Sequence, residues 1–478
     1  MNQRLLPSIS TVTVGFIAAV TMWTAWLITH LPWLGMPESV ALPIVVFAWV
    51  LALAIGGSLL IRDGATRGET TLRCVGAGVI SSLLGLLILG SKLTEPPTPV
   101  EAGEAVTTAV SLKPAAGLMV IGFLITGGVL GLLAGLVAGV VTPATLRPTI
   151  PSESNPRWLG RFAMVACVSI VPLIVVGGLV TSTGSGMAVP DWPNTYGTNM
   201  FLYPLGPRAA PDVFLEHSHR LFGTLIGLTT LALTVMVFAH DSRGFVRGWA
   251  TAAFLFIVIQ GVLGGIRVRQ GHVDFAQDDK FYRVIHGVLA QGVFCMYAAL
   301  AVYLSPIYQR AKAGIISGAI DLAASTAKPR LLRIFANAAL HTTILQLIMG
   351  AVYRHGRHMH VLWTHIALSF VVLFLALLAA SAAQGVRPSD GPSRRTIARL
   401  GGLVGGCVVL QFALGWVAFL FTNSGPQAAS VGEGLLRTSH QANGALLIAA
   451  MAGLAVWSRV LAPKQQAVTI AAPAAATA

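Results

Sequence analysis

The chain has 478 residues, 55% of them hydrophobic and 10% charged, with a mean hydropathy of +0.76. Soluble domains carry about a quarter charged residues, so this composition excludes an ordinary water-soluble protein, and the chain is too long and apolar for a disordered or disulfide-stapled one. Thirty-one Lys and Arg against 17 Asp and Glu give a net charge of +14, which points to nucleic acid in a soluble protein but records topology in a membrane protein.

In chain order, twelve stretches reach the roughly 20 apolar residues that a membrane helix needs: 12–29, 40–61, 72–89, 118–141, 162–180, 214–239, 249–266, 281–304, 331–353, 361–383, 397–421 and 434–460. The fold class expected is an all-α polytopic membrane protein of about twelve transmembrane helices. The first stretch does not read as a cleaved signal peptide. It follows a single basic residue, Arg4, and no small-residue cleavage site precedes Trp33. An even number of spans puts both termini on one side. That side collects 20 basic and six acidic residues, the other ten basic and eleven acidic, and Arg220 falls within a span. The whole net charge lies on the side of the termini, which the positive-inside rule makes cytoplasmic. Nucleic-acid binding loses its motivation. Cys74, Cys167, Cys295 and Cys407 all fall inside spans, and small core residues are the expectation for them.

The first four spans, in a module over residues 1–145, carry almost no polar chemistry, and no role follows from them. A Pro- and Ser-rich linker over 146–156 precedes eight spans that repeat. Gln260-x-x-x-Gly264 in the seventh matches Gln411-x-x-x-Gly415 in the eleventh. Arg283-x-x-His286 in the eighth matches Arg437-x-x-His440 in the twelfth, and His219 in the sixth matches His365 in the tenth. Two tandem four-helix bundles follow, over 157–310 and 330–462, with a disordered tail over 463–478. An even number of spans per unit makes the two run in the same sense. The halves differ in the outer loop 181–213, about 30 residues dense in Gly, Pro and aromatics, against about ten in the second half.

His219, His286, His365 and His440 each lie three to six residues into an even-numbered span that enters from outside. Ionisable groups in a membrane are costly and point to function. In each half the two histidines sit on the second and fourth helices, which face one another across a bundle, and opposed imidazoles suit a haem iron with two axial ligands. Glu216 and His219 are i, i+3 on one face, so the carboxylate is a candidate proton-exchange group, against the alternative of a helix-terminal charge favoured by the macrodipole. The matching position of the second half is Leu362. Arg220, Arg283 and Arg437 lie where haem propionates would reach the interface, with interfacial snorkelling as the alternative. His355, His358 and His360 form a further cluster, read as a solvated loop in preference to a metal site.

The run Gly177-Gly-Leu-Val-Thr-Ser-Thr-Gly-Ser-Gly-Met-Ala-Val-Pro-Asp-Trp-Pro193, with Glu216-His-Ser-His-Arg-Leu-Phe-Gly223, His286-Gly-Val-Leu-Ala-Gln291 and Leu436-Arg-Thr-Ser-His-Gln-Ala-Asn-Gly444, resembles the haem A synthase family over about residues 157–462. The resemblance implies an oxidoreductase of a bacterial inner membrane that oxidises the C8 methyl of haem O to a formyl by successive hydroxylations and loss of water, making haem A for cytochrome oxidase. It implies haem O as substrate between His219 and His286, haem b as cofactor between His365 and His440, and a catalytic carboxylate at Glu216. Haem O synthase and cytochrome oxidase assembly factors are the partners it implies. Two departures stand out: Val189 and about Thr195 occupy the places of a cysteine pair found in many bacterial members, and the module 1–145 lies outside the family pattern. A di-haem b-type cytochrome without haem modification and a repeat-built transporter are the competing functions. The cytochrome does not need Glu216 or the long loop, and the transporter would place its site near the midplane.

Overall fold

The structure, a computed structural model, describes residues 8–95, 110–143, 155–203, 205, 210–271, 279–322, 329–422, 425, 427–428 and 430–462. Among them run α1 (Ile9–Thr29), α2 (Glu38–Arg62), α3 (Arg67–Leu89), α4 (Ala116–Val141), α5 (Asn155–Thr183), α6 (Pro211–His240), α7 (Gly244–Gly271), α8 (Asp279–Leu304), α9 (Pro306–Ile316), α10 (Pro329–Gly356), α11 (Met359–Gly385), α12 (Gly391–Phe421) and α13 (Val431–Leu461). All but α9 are long and apolar enough to cross a membrane, and no strand occurs among the described residues. The protein is an all-α, multi-pass membrane protein.

The helices extend several residues past the apolar stretches. Thus α5 starts at Asn155 and α12 at Gly391, where Asp390 caps the first turn by accepting from the Ser393 amide at 2.9 Å. The backbone ladder continues through charged turns at the water boundary, where hydropathy no longer marks it. The short α9 was not anticipated. It spans only 11 residues, opens with Pro306 in its first turn, and buries Tyr308 edge-on against Trp457 of α13 at 5.1 Å. Most of the linker 146–156 and the tail 463–478 fall outside the described residues.

The module α1–α4 packs α3 on α4 through small residues. A Cβ on Gly127 would meet the Gly78 carbonyl at 2.5 Å, and one on Gly131 the Cys74 carbonyl at 2.1 Å. Glycines four apart on α4 thus bring two backbones together, as is usual for helices in lipid. The module is docked on the first bundle along α1. Phe16 meets Phe162, Trp23 meets Phe222 and Trp26 meets Phe214, with ring centres 5.1, 5.4 and 5.6 Å apart. At the end of α2, Asp63 is buried and accepts from Arg157 at 2.8 Å and Arg161 at 2.5 Å, both on α5.

Helices α5–α8 form one bundle and α10–α13 the other, with α5 and α8 of the first against α10 and α13 of the second. At the seam Ser182 of α5 shares a 3.2 Å hydrogen bond with Thr438 of α13 and accepts from Arg354 of α10 at 2.9 Å. A Cβ on Gly178 would come within 2.9 Å of the Thr438 methyl, so this glycine sets how closely the bundles approach.

Candidate functional site

His219, His286, His365 and His440 lie six to nine residues past the starts of α6, α8, α11 and α13, deeper than the three to six expected because the helices start earlier. At 1.5 Å per residue they sit about 9–14 Å along their helices. His219 and His286 face each other across the first bundle, ring centres 6.4 Å apart at 70°. Two imidazoles that share a metal through facing nitrogens, each about 2.0–2.1 Å away, have centres about 6–6.5 Å apart. The pair therefore fits a bis-histidine iron. His365 and His440 take the corresponding stations of the second bundle.

Each imidazole edge is seated on a glycine of the preceding helix. A Cβ on Gly177 would lie 2.9 Å from His219 Cε1, one on Gly350 2.9 Å from His365 Cε1, one on Gly415 3.2 Å from His440 Cε1 and one on Gly264 3.6 Å from His286 Cε1. One turn before three of these glycines stands a glutamine: Gln260, Gln346 and Gln411. Two Q-x-x-x-G motifs are apparent in the sequence alignment of the halves. The third, Gln346-x-x-x-Gly350, escapes it because α10 is compared there with α5, which carries Leu173 at that register.

The outer loop is folded onto α6. Glu216, 4% exposed, accepts from the Val189 amide at 2.8 Å and from Arg220 at 2.6 Å. Arg220 donates further to the carbonyls of Asp191 at 2.7 Å, Asn194 at 3.0 Å and Val189 at 3.0 Å. Arg220, expected near a propionate, is engaged by the loop. A long loop returning over its own helix has carbonyls to satisfy, and the guanidinium supplies the donors. Glu216 likewise has both oxygens engaged. Thr195 pairs with His217 at 3.1 Å, and Asp191 accepts from the Tyr196 and Gly197 amides, each at 2.7 Å. The Tyr196 hydroxyl donates to the Ala188 carbonyl at 2.5 Å; burial first, then the Asp212 and Glu216 carboxylates, push its pKa up and keep it a donor. Trp192 lies on α7 so closely that a Cβ on Gly265 would come within 2.4 Å of its ring.

Arg437 pairs with Glu433 at 2.5 Å and reaches the Gly425 carbonyl at 3.2 Å. Arg283 is half-buried one turn before His286. Two further arginines reach this region. A Cβ on Gly186 would come within 2.8 Å of the Arg267 guanidinium, which places Arg267 of α7 against the outer loop, and Arg354 is the seam donor already described. Each stands three or four residues after a histidine-seating glycine, and that offset was the available signal. His358 and His360 stack at 5.6 Å, and no group of three or more His, Cys, Asp or Glu able to hold a metal occurs among the described residues. All four cysteines are free, Cys74 and Cys407 buried and Cys167 and Cys295 half-buried.

Residues 160–365 match the family model described as cytochrome oxidase assembly protein, COX15-CtaA. Proteins named heme A synthase are similar over part of the chain. That of Lysinibacillus sphaericus is 32% identical over 123 residues, 25% of this chain and 38% of the relative. The Geobacillus kaustophilus protein is 32% identical over 123 residues, 25% and 37% of the two chains, and that of Ehrlichia ruminantium 24% over 155 residues, 27% and 44%. The matches thus span less than half the length of these relatives. The matched segment holds the outer loop, both histidines of the first bundle and the first histidine of the second. Over this segment the chain is similar to the COX15-CtaA family of cytochrome oxidase assembly proteins.

Proposed function

We propose that the protein is a haem A synthase, an oxidoreductase that converts the C8 methyl of haem O to a formyl group. The observation that carries this reading is the His219–His286 pair, opposed at 6.4 Å beneath the folded outer loop and echoed by His365 and His440 in a second bundle. Likeness to proteins named heme A synthase supports the choice of reaction.

In this reading His219 and His286 hold haem O as substrate, and His365 and His440 hold haem b as resident cofactor. A bound haem supplies one-electron iron chemistry that no side chain can. The chain's residues do the rest. The glycine seats fix the planes of the four imidazoles. The loop, pinned by Glu216 and Arg220 and laid on α7 by Trp192, excludes water from the outer side of the first bundle. Glu216, one turn from His219, is the carboxylate placed to exchange protons there, with Arg220 as its counter-charge. Arg283 and Arg437, at matched register, receive propionates. The charge asymmetry supports an inner-membrane topology with both termini cytoplasmic; the proposed reaction itself makes haem O synthase the supplier of substrate and oxidase assembly factors the recipients of product.

The deciding experiment extracts haems from cells that also produce haem O synthase and separates them by chromatography. Wild-type chain is expected to yield haem A, while His286→Ala and Glu216→Ala leave haem O. Haem b alone, with no haem A from wild type, would favour the di-haem cytochrome instead. A purified chain without a Soret band would overturn the haem reading and favour the transporter.

A further inference from the structure

The four histidines stand in four helical hairpins of one pattern, and three of them have a carboxamide that the fourth lacks. Gln260 donates to the His286 carbonyl at 3.0 Å and Gln346 to the His365 carbonyl at 2.9 Å. Gln411 lies 3.3 Å from both ring nitrogens of His440, and its oxygen accepts from Asn443 at 2.9 Å, an amide that also donates to the Cys407 carbonyl at 2.9 Å. The corresponding residue opposite His219 is Leu173, directly after Pro172, whose missing N–H interrupts α5 at the same level.

The ring nitrogens divide the bundles in the same way. Nδ1 of His365 lies 3.1 Å from the backbone carbonyl of Gln346, which accepts its proton, and the Gln411 carboxamide, held by Asn443, abuts the edge of the His440 ring 3.3 Å from its nitrogens. In the first bundle Nδ1 of His219 and Nδ1 of His286 are both buried without a hydrogen-bond partner among the described residues. The Leu173 carbonyl faces His219 as the Gln346 carbonyl faces His365, but only the latter closes within hydrogen-bond geometry.

A ligating imidazole is held in orientation by what its other nitrogen and its backbone bind, and losing such a partner costs about 10–100-fold in metal affinity. We propose that Gln346 and Gln411 are positioning residues that make the second bundle a retaining haem site, and that Leu173 leaves His219 the loosely held ligand of a site built for exchange. This deepens the two-haem reading above and rests on it. A substrate haem has to enter and leave, whereas a cofactor has to stay, and the hydrogen bonds sort the two bundles accordingly.

The test uses the full-length, haem-loaded protein and follows transfer of haem b and haem O to excess apomyoglobin, which their different Soret maxima keep apart. Gln346→Leu and Gln411→Leu remove the carboxamides while the backbone carbonyl on His365 Nδ1 stays, and are expected to release haem b several-fold faster with haem O release unchanged. Leu173→Gln is expected to slow haem O release several-fold, a gain that damage to the fold cannot produce, and to sharpen the low-spin electron paramagnetic resonance signal of that haem. Unchanged release in all three variants would overturn the positioning roles while leaving haem binding intact. A wild-type chain that binds no haem would instead overturn the proposed function.

Discussion

The glycine seats predict a graded response to a single added methyl group. Alanine at position 177 or 350 would place its Cβ 2.9 Å from the Cε1 of His219 or His365, well inside the contact distance of two carbons, about 3.5–4.0 Å. The ring has to turn away, and an overpacked side chain forced off its rotamer costs about 1–3 kcal/mol. Because that cost falls on the conformation that grips the iron, haem affinity drops about 5–150-fold. At Gly264 the same methyl would stand 3.6 Å from His286, an ordinary contact, so alanine there leaves affinity unchanged; Gly415, at 3.2 Å, falls between. Helix stability moves the other way, since alanine inside a helix gains about 0.5–1 kcal/mol over glycine. The assay is a Soret titration of each purified variant with haem, alongside thermal unfolding without it. Equal losses at Gly264 and Gly177, or a fall in thermal stability that tracks the loss of haem, would refute the seating argument.

Three further outcomes follow from other contacts. Asp63→Ala strands two arginines that are a quarter to a third exposed, so it should cost about 2–3 kcal/mol, below the 3–5 of a fully buried pair, and loosen the N-terminal module in a thermal shift while haem content stays constant. Arg220→Gln removes the Glu216 ion pair and donors to loop carbonyls, and should expose the 185–203 region to limited proteolysis. Gly131→Val drives a side chain into the Cys74 backbone, which a Cβ would already approach to 2.1 Å, and should abolish stable expression of the module, whereas Gly122→Val, with open space around its Cβ, should not.

The apolar stretches, the positive face and the positions of the four histidines were legible in the sequence because membrane spanning imposes a strong local pattern on composition and ionisable residues stand out within it. The duplication was legible through the paired Q-x-x-x-G and R-x-x-H. Residues whose roles depend on distant packing were not. Helix α9 is too short and mixed to register as a span, though Pro306 marked its start. The bonds of Arg220 to the loop carbonyls were not legible, because only the fold brings those carbonyls to it. The docking of the first module rests on Trp23, Trp26 and Asp63, each unremarkable in its own segment. At Val189 and Thr195 the loop is fastened by the Val189 amide to Glu216 and the Thr195 hydroxyl to His217, partners that only the fold brings together.

The central claim is that the chain holds two haems on two histidine pairs, one of them the substrate. It is tested most directly by extracting and quantifying the haems of purified His286→Ala and His365→Ala variants from cells making haem O. His286→Ala should retain haem b and lose haem O and haem A; His365→Ala should lose haem b, keep haem O and form no haem A. Loss of both haems together from either variant, or haem A from both, would contradict the account.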